Sequence, residues 1–188
     1  MGWDYTSPLP KGKRMKKYIE TLQEIKEWAY PSTYPKSVEK WKDEGGKAIG
    51  WVCNYIPEEL IHAGGALPYR VIVPNSVEIK EANAYLHPNI CTYCRATFQI
   101  ALEEKLDFLD AIVLGSTCDS MRRLGELWEI YLPKQSLFFL SIPHQASHEA
   151  VEFFTGELQG LKNYLEELLG IELTHDALER SIRLYNQS

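Results

Sequence analysis

The stretch AIGWVCNYIPEELIHAGGALPYRVIV, residues 48–73, decides the fold. Two short apolar runs, 48–53 and 67–73, enclose a segment that opens on Pro57 and closes on Gly64 and Gly65. Proline suits the first turn of a helix, Glu58 and Glu59 complement the positive end of its dipole, and paired glycines end it. The unit reads as strand, helix over 57–63, strand. Continuous apolar strands joined through helices build a parallel sheet covered on both faces.

Downstream the same grammar repeats: a helix over 93–104, a strand over 111–115, a helix over 119–131 and a strand over 136–142. After Pro143, HEAVEFFTGELQGLKNYLEELLG keeps a 3.6-residue apolar period and stops at Gly170. Thr174 then reads as the N-cap of a last helix, with Asp176 in its first turn. That helix reaches Ser188 still in register, so the chain is expected to hand over to something beyond it. Upstream, KRMKKYIETLQEIKEWAY (13–30) is amphipathic at helical spacing, PSTYP breaks it, and a short helix over 38–44 ends at a glycine pair.

The expected fold is α/β: a parallel, Rossmann-like sheet flanked by helices, with an N-terminal helical extension and C-terminal helices. Its expected divisions are an extension over 1–45, an α/β domain over 46–145, and a helical segment over 146–188 leading toward a second domain. With 188 residues and 45% hydrophobic content the chain can bury a real core. The longest apolar runs fall far short of the roughly 20 residues that span a bilayer. The basic KGKRMKK is followed by no apolar signal region, so a cytoplasmic location is expected. A net charge of -6 supplies no basic field for a phosphate backbone, which sets nucleic acid aside.

In that setting four unevenly spaced cysteines point to thiol, metal or redox chemistry before structural disulfides. Cys91 precedes a helix, where unpaired N–H groups and the dipole stabilise a thiolate. Cys118 repeats that situation after the apolar strand LDAIVLG, so the two sulfurs are expected to face one crevice at the sheet's C-terminal edge. The spacing in CTYC fits a dithiol redox pair, half of a zinc site, or an iron–sulfur ligand beside a bystander. Glu58 or Glu59 could act as a general base at a strand end, or simply complement the dipole. His62 reads as a satisfied histidine on a packed helix and Cys53 as a buried, inert thiol. Arg122 and Arg123 either hold anionic groups or solvate their helix.

GWVCNYIPEELIHAGGALPYR, HPNICTYCRATFQIALE, LDFLDAIVLGSTCDSMRRLGELWE and SLFFLSIPH, in this order, resemble the 2-hydroxyacyl-CoA dehydratase and benzoyl-CoA reductase family. The resemblance runs from about Gly46 through Pro143, and DALERSIRLYNQS resembles the helix that follows in that family. It implies subunits of two α/β domains around an oxygen-sensitive 4Fe-4S cluster, the pairing of two homologous subunits as a heterodimer, and an ATP-dependent iron–sulfur activator. Anaerobic metabolism of an acyl-CoA substrate is implied with them. In the dehydratase branch one electron makes a ketyl radical of a 2-hydroxyacyl-CoA, which expels its hydroxyl. In the reductase branch electrons enter the ring of benzoyl-CoA, and related proteins carry a double-cubane iron–sulfur cluster.

Carried over by position, the family's first two ligand cysteines fall on Cys91 and Cys118, its PEE glutamate falls on Glu58 or Glu59, and Cys94 is an extra. The third protein ligand is expected from a second domain beyond this chain, unless a partner, Cys94 or Cys53 supplies it. The loop after PYRVIVP lacks the family's usual glycines. These 188 residues alone are expected to be an inactive fragment, which turnover of a CoA thioester with only an activator would contradict. Two other readings stay open. One is a thiol–disulfide oxidoreductase, since CTYC before a helix also resembles the glutaredoxin motif; the other is a non-catalytic scaffold subunit of the same family.

Overall fold

The structure, a computed structural model, describes residues 36–74 and 77–187. The helix expected over 13–30 and the PSTYP break lie outside the described residues. In chain order the elements are α1 (Lys36–Asp43), β1 (Ala48–Trp51), α2 (Glu58–Ala63), β2 (Leu67–Arg70), a 3-10 turn (Glu81–Ala84), α3 (Thr92–Leu102), β3 (Ala111–Gly115), α4 (Asp119–Tyr131), β4 (Ser136–Leu140), α5 (His148–Leu169) and α6 (His175–Tyr185).

The four strands are parallel in the order β2-β1-β3-β4. Ile49 faces Pro68 on one side and Ala111 on the other, and Ala111 in turn faces Ser136. Parallel strands need crossovers, and each crossover here carries a helix. Because side chains alternate along a strand, β3 feeds two cores. Ile112 and Leu114 pack with Phe98 of α3 and with Leu124 and Trp128 of α4. Ala111 and Val113 pack on the opposite face with Leu60 and Ile61 of α2 and Leu161 and Leu165 of α5. Every residue of β3 is buried, which explains its unbroken apolar run.

The strands are shorter than their apolar runs. The Val52 and Val71 N–H groups still donate to Val113 O and Trp51 O, after which Cys53 turns the chain with φ 80°. At the end of β4 the Ser141 N–H donates to the Glu157 carboxylate and the Ile142 N–H to Ser116 Oγ, so the ladder stops at Leu140. Helix ends follow the sequence: Thr174 Oγ1 accepts from the Ala177 N–H at 3.2 Å, and Gly170 closes α5 in the left-handed region.

Helix α6 docks on α2. The buried Ser181 hydroxyl donates to Glu59 O at 2.8 Å, so at 2.9 Å it accepts from His62 Nδ1–H. Tyr185 meets the His62 ring edge-on. His62 is the satisfied histidine that its helix pattern suggests.

At the N-terminal ends of the two central strands, Asp110 ties α1 to β1. Its carboxylate accepts from Lys42 Nζ at 2.6 Å, Lys47 Nζ at 2.9 Å and the Ala48 N–H at 2.8 Å. Burial alone would raise this carboxyl, but the Lys42, Ala48 and Lys47 donors hold it below the ordinary aspartate value of 3.8. A depressed native pKa contributes stability above the unfolded value, lost as pH falls through the native one. Asp110→Asn will therefore cost about 1–3 kcal/mol at neutral pH. In parallel urea titrations the gap to wild type should close below about pH 4; a gap that does not change with pH contradicts this account.

Candidate functional site

Between β1 and β3 the chain changes direction across the sheet, and the C-terminal ends of strands at such a point frame the ligand crevice of open α/β sheets. Three segments reach that edge: the turn after β1 carrying Cys53, the turn after β3 carrying Cys118, and the start of α3 carrying Cys91.

Local chemistry fixes each one. After β3 the Ser116 N–H donates to Leu140 O and its hydroxyl accepts from the Ile142 N–H, binding the turn to the end of β4. Cys118 follows in extended backbone (φ -160°, ψ 171°) as the N-cap of α4. Cys91 is likewise the N-cap of α3, with φ -43° and ψ 128°. Neither sulfur caps its own helix, so both remain available beside unpaired N–H groups.

The two helix starts are joined. The Cys91 N–H donates to Ser120 Oγ, in the first turn of α4, at 3.2 Å. On its other side α3 is held by Tyr93, whose hydroxyl donates to Val71 O at 2.6 Å, and by Arg95, which bonds to Asn83 and to Pro88 O. Cys91 and Cys118 thus sit exposed on neighbouring helix N-termini.

Cys94 differs. It is 1% exposed and its thiol donates to Met121 Sδ at 3.5 Å. Burial pushes the Cys94 thiol up to about 12, reinforced by the neighbouring sulfurs of Cys91 and Cys118 and then by Cys53. The other three sulfurs therefore all lie within electrostatic reach of Cys94, whose thiol is held protonated. Cys53 is half-buried in a left-handed conformation costly for a residue with a side chain.

The expected arginine pair divides its roles. Arg123 bonds to Glu126 at 2.7 Å and lies 3.9 Å from Asp119, as a solvating residue does. Arg122 instead lines a recess of about 210 Å³ with Cys118, Asp119 and His144. On the β2 side, Arg70 stacks over the Trp51 ring at 5.3 Å and donates to Asn54 at 3.0 Å. Glu58 and Glu59, both half-buried, occupy the first turn of α2. Burial pushes the Glu58 carboxyl up, Glu59 adds to the rise, and Arg70 opposes it.

Sequence reasoning passed over Ser120, Tyr93 and His144. The position of His144 just past a strand end was a usable signal. The bonds made by Ser120 and Tyr93 depend on tertiary placement that no spacing encodes. Among the described residues no group of three or more His, Cys, Asp or Glu is placed to hold a metal ion. The pair Cys91 and Cys118 fits an iron–sulfur group as two of its ligands, being exposed soft sulfur donors on neighbouring helix starts.

Residues 53–188 match the family described as 2-hydroxyglutaryl-CoA dehydratase, D-component. The chain is 31% identical over 153 residues to a benzoyl-CoA reductase subunit of Thauera aromatica, covering 79% of this chain and 40% of that protein. It is 32% identical over 167 residues to the beta subunit of (R)-2-hydroxyglutaryl-CoA dehydratase of Acidaminococcus fermentans, covering 87% and 44%. To the beta subunit of lactoyl-CoA dehydratase of Anaerotignum propionicum it is 30% identical over 154 residues, covering 81% and 41%. The chain spans about two fifths of the length of the curated relatives it matches.

Proposed function

Because the chain belongs to the 2-hydroxyglutaryl-CoA dehydratase D-component family, we propose that it forms part of the iron–sulfur subunit of an acyl-CoA dehydratase or reductase. Cys91 and Cys118 are two thiolate ligands of its 4Fe-4S cluster. The observation that carries this reading is the pairing of two exposed N-cap cysteines, joined through the Cys91 N–H and Ser120. When bound, the cluster supplies low-potential single electrons. A third protein ligand comes from outside the described residues, the paired subunit is a homologue, and an ATP-dependent iron–sulfur activator delivers the electrons. A cytoplasmic location belongs to the same proposal.

The chain's own residues bind, orient and move protons. The helix starts at Cys91 and Cys118 place the two sulfurs at the crevice. Glu58, pushed up by burial, is the proton-handling group on the acyl-CoA side, with Glu59 beside it to sustain the shift. Arg70, Arg122 and His144 offer positive or hydrogen-bonding groups to an anionic substrate at the crevice rim.

With the paired subunit and activator present, Glu58→Gln should lower acyl-CoA turnover by about 10²–10⁴-fold while bound iron stays at the wild-type level. Unchanged turnover removes Glu58 from the chemistry; lost iron assigns it a structural role instead.

A further inference from the structure

The cluster reading uses Cys91 and leaves Cys94 without a task, although the two share one helix start. They differ in the two properties that make a dithiol pair work: access and attachment. Cys91 is exposed, and its backbone lies outside the helical region. Cys94 is 1% exposed and one turn into α3, roughly 5 Å away along the helix and inside the separation that a disulfide bridges. The Cys94 thiol bonds only weakly, to the soft Sδ of Met121, and it also stands within side-chain hydrogen-bond reach of Cys91.

From this geometry we infer that Cys91 and Cys94 form a dithiol pair that a low-molecular-weight disulfide oxidises to a disulfide across the start of α3, withdrawing Cys91 from iron. The Cys91 thiolate attacks one sulfur of the small disulfide, forming a mixed disulfide and releasing one thiolate. The Cys94 thiol then turns from Met121, gives its proton to solvent and attacks the Cys91 sulfur, releasing the second small thiol. Two protein thiols are oxidised and one small disulfide is reduced to two thiols. Cys118 is exposed too, but it starts a different helix and has no buried cysteine one turn on. The withdrawal from iron rests on the cluster reading; the disulfide itself does not.

Trypsin releases residues 81–95 as one peptide holding both sulfurs, and 106–122 as another holding Cys118. The reduced, iron-free chain is incubated with glutathione disulfide, alkylated and digested. The expected wild-type product is the 81–95 peptide two hydrogens lighter than its reduced form, with Cys53 and Cys118 still alkylated. In Cys94→Ala the same peptide should instead carry glutathione on Cys91. A wild-type peptide that keeps glutathione, or that is bonded to the 106–122 peptide, overturns the pair. The oxidised wild type should take up at least five-fold less iron than the reduced form, with uptake restored by dithiothreitol. A closed disulfide with full iron uptake would leave the pair standing and overturn the withdrawal, and with it the assignment of Cys91 to iron.

Discussion

Truncation of Phe98 to alanine will destabilise the fold by about 3–5 kcal/mol and will expose Cys94 to alkylation under native conditions. Phe98 is fully buried beneath α3, meets Tyr85 edge-on, and packs in the same core as Ile112, Leu124 and Trp128. It lies one turn beyond Cys94 on the same buried helix face, so the cavity it leaves opens beside that sulfur. Leu161→Ala is the comparison, because Leu161 is as fully buried but belongs to the core on the other side of the sheet. It should cost about 2–5 kcal/mol and leave Cys94 protected. Urea unfolding and timed alkylation check both; equal Cys94 reactivity in the two variants would separate the sulfur's protection from the packing of α3.

The alternation of apolar strands and helices was legible because a strand buried on both faces, such as β3, leaves no polar residue in its run. Cap chemistry was equally readable: Gly170 and Thr174 act where their residue types suggest. Strand ends were not, since β4 stops where Ser116 and Glu157 take its N–H groups, and both lie far away in sequence. The placement of Cys91 and Cys118 at neighbouring helix starts followed from two local patterns. Their physical link did not, because the Cys91 to Ser120 bond exists only once α3 and α4 lie side by side. Nor did spacing reveal that the second sulfur of CTYC turns inward to Met121 while the first stays exposed. Helical phase relative to the core decides that, and the core is set by both helices together.

The larger functional effect is expected at the two exposed sulfurs. Removing either Cys91 or Cys118 takes a ligand from iron, and bound iron and sulfide should fall to about a tenth of wild type or below. Cys94→Ala removes only a buried, protonated thiol, so its iron should remain. The most direct test is anaerobic reconstitution with iron, sulfide and a small thiol to complete the coordination, read by electron paramagnetic resonance of the reduced wild type and the three variants. A 4Fe-type signal that persists in Cys94→Ala and vanishes in Cys91→Ala and Cys118→Ala is the predicted result. A signal that vanishes in Cys94→Ala and persists in Cys118→Ala would contradict it, placing the metal on CTYC instead of between the two helix starts.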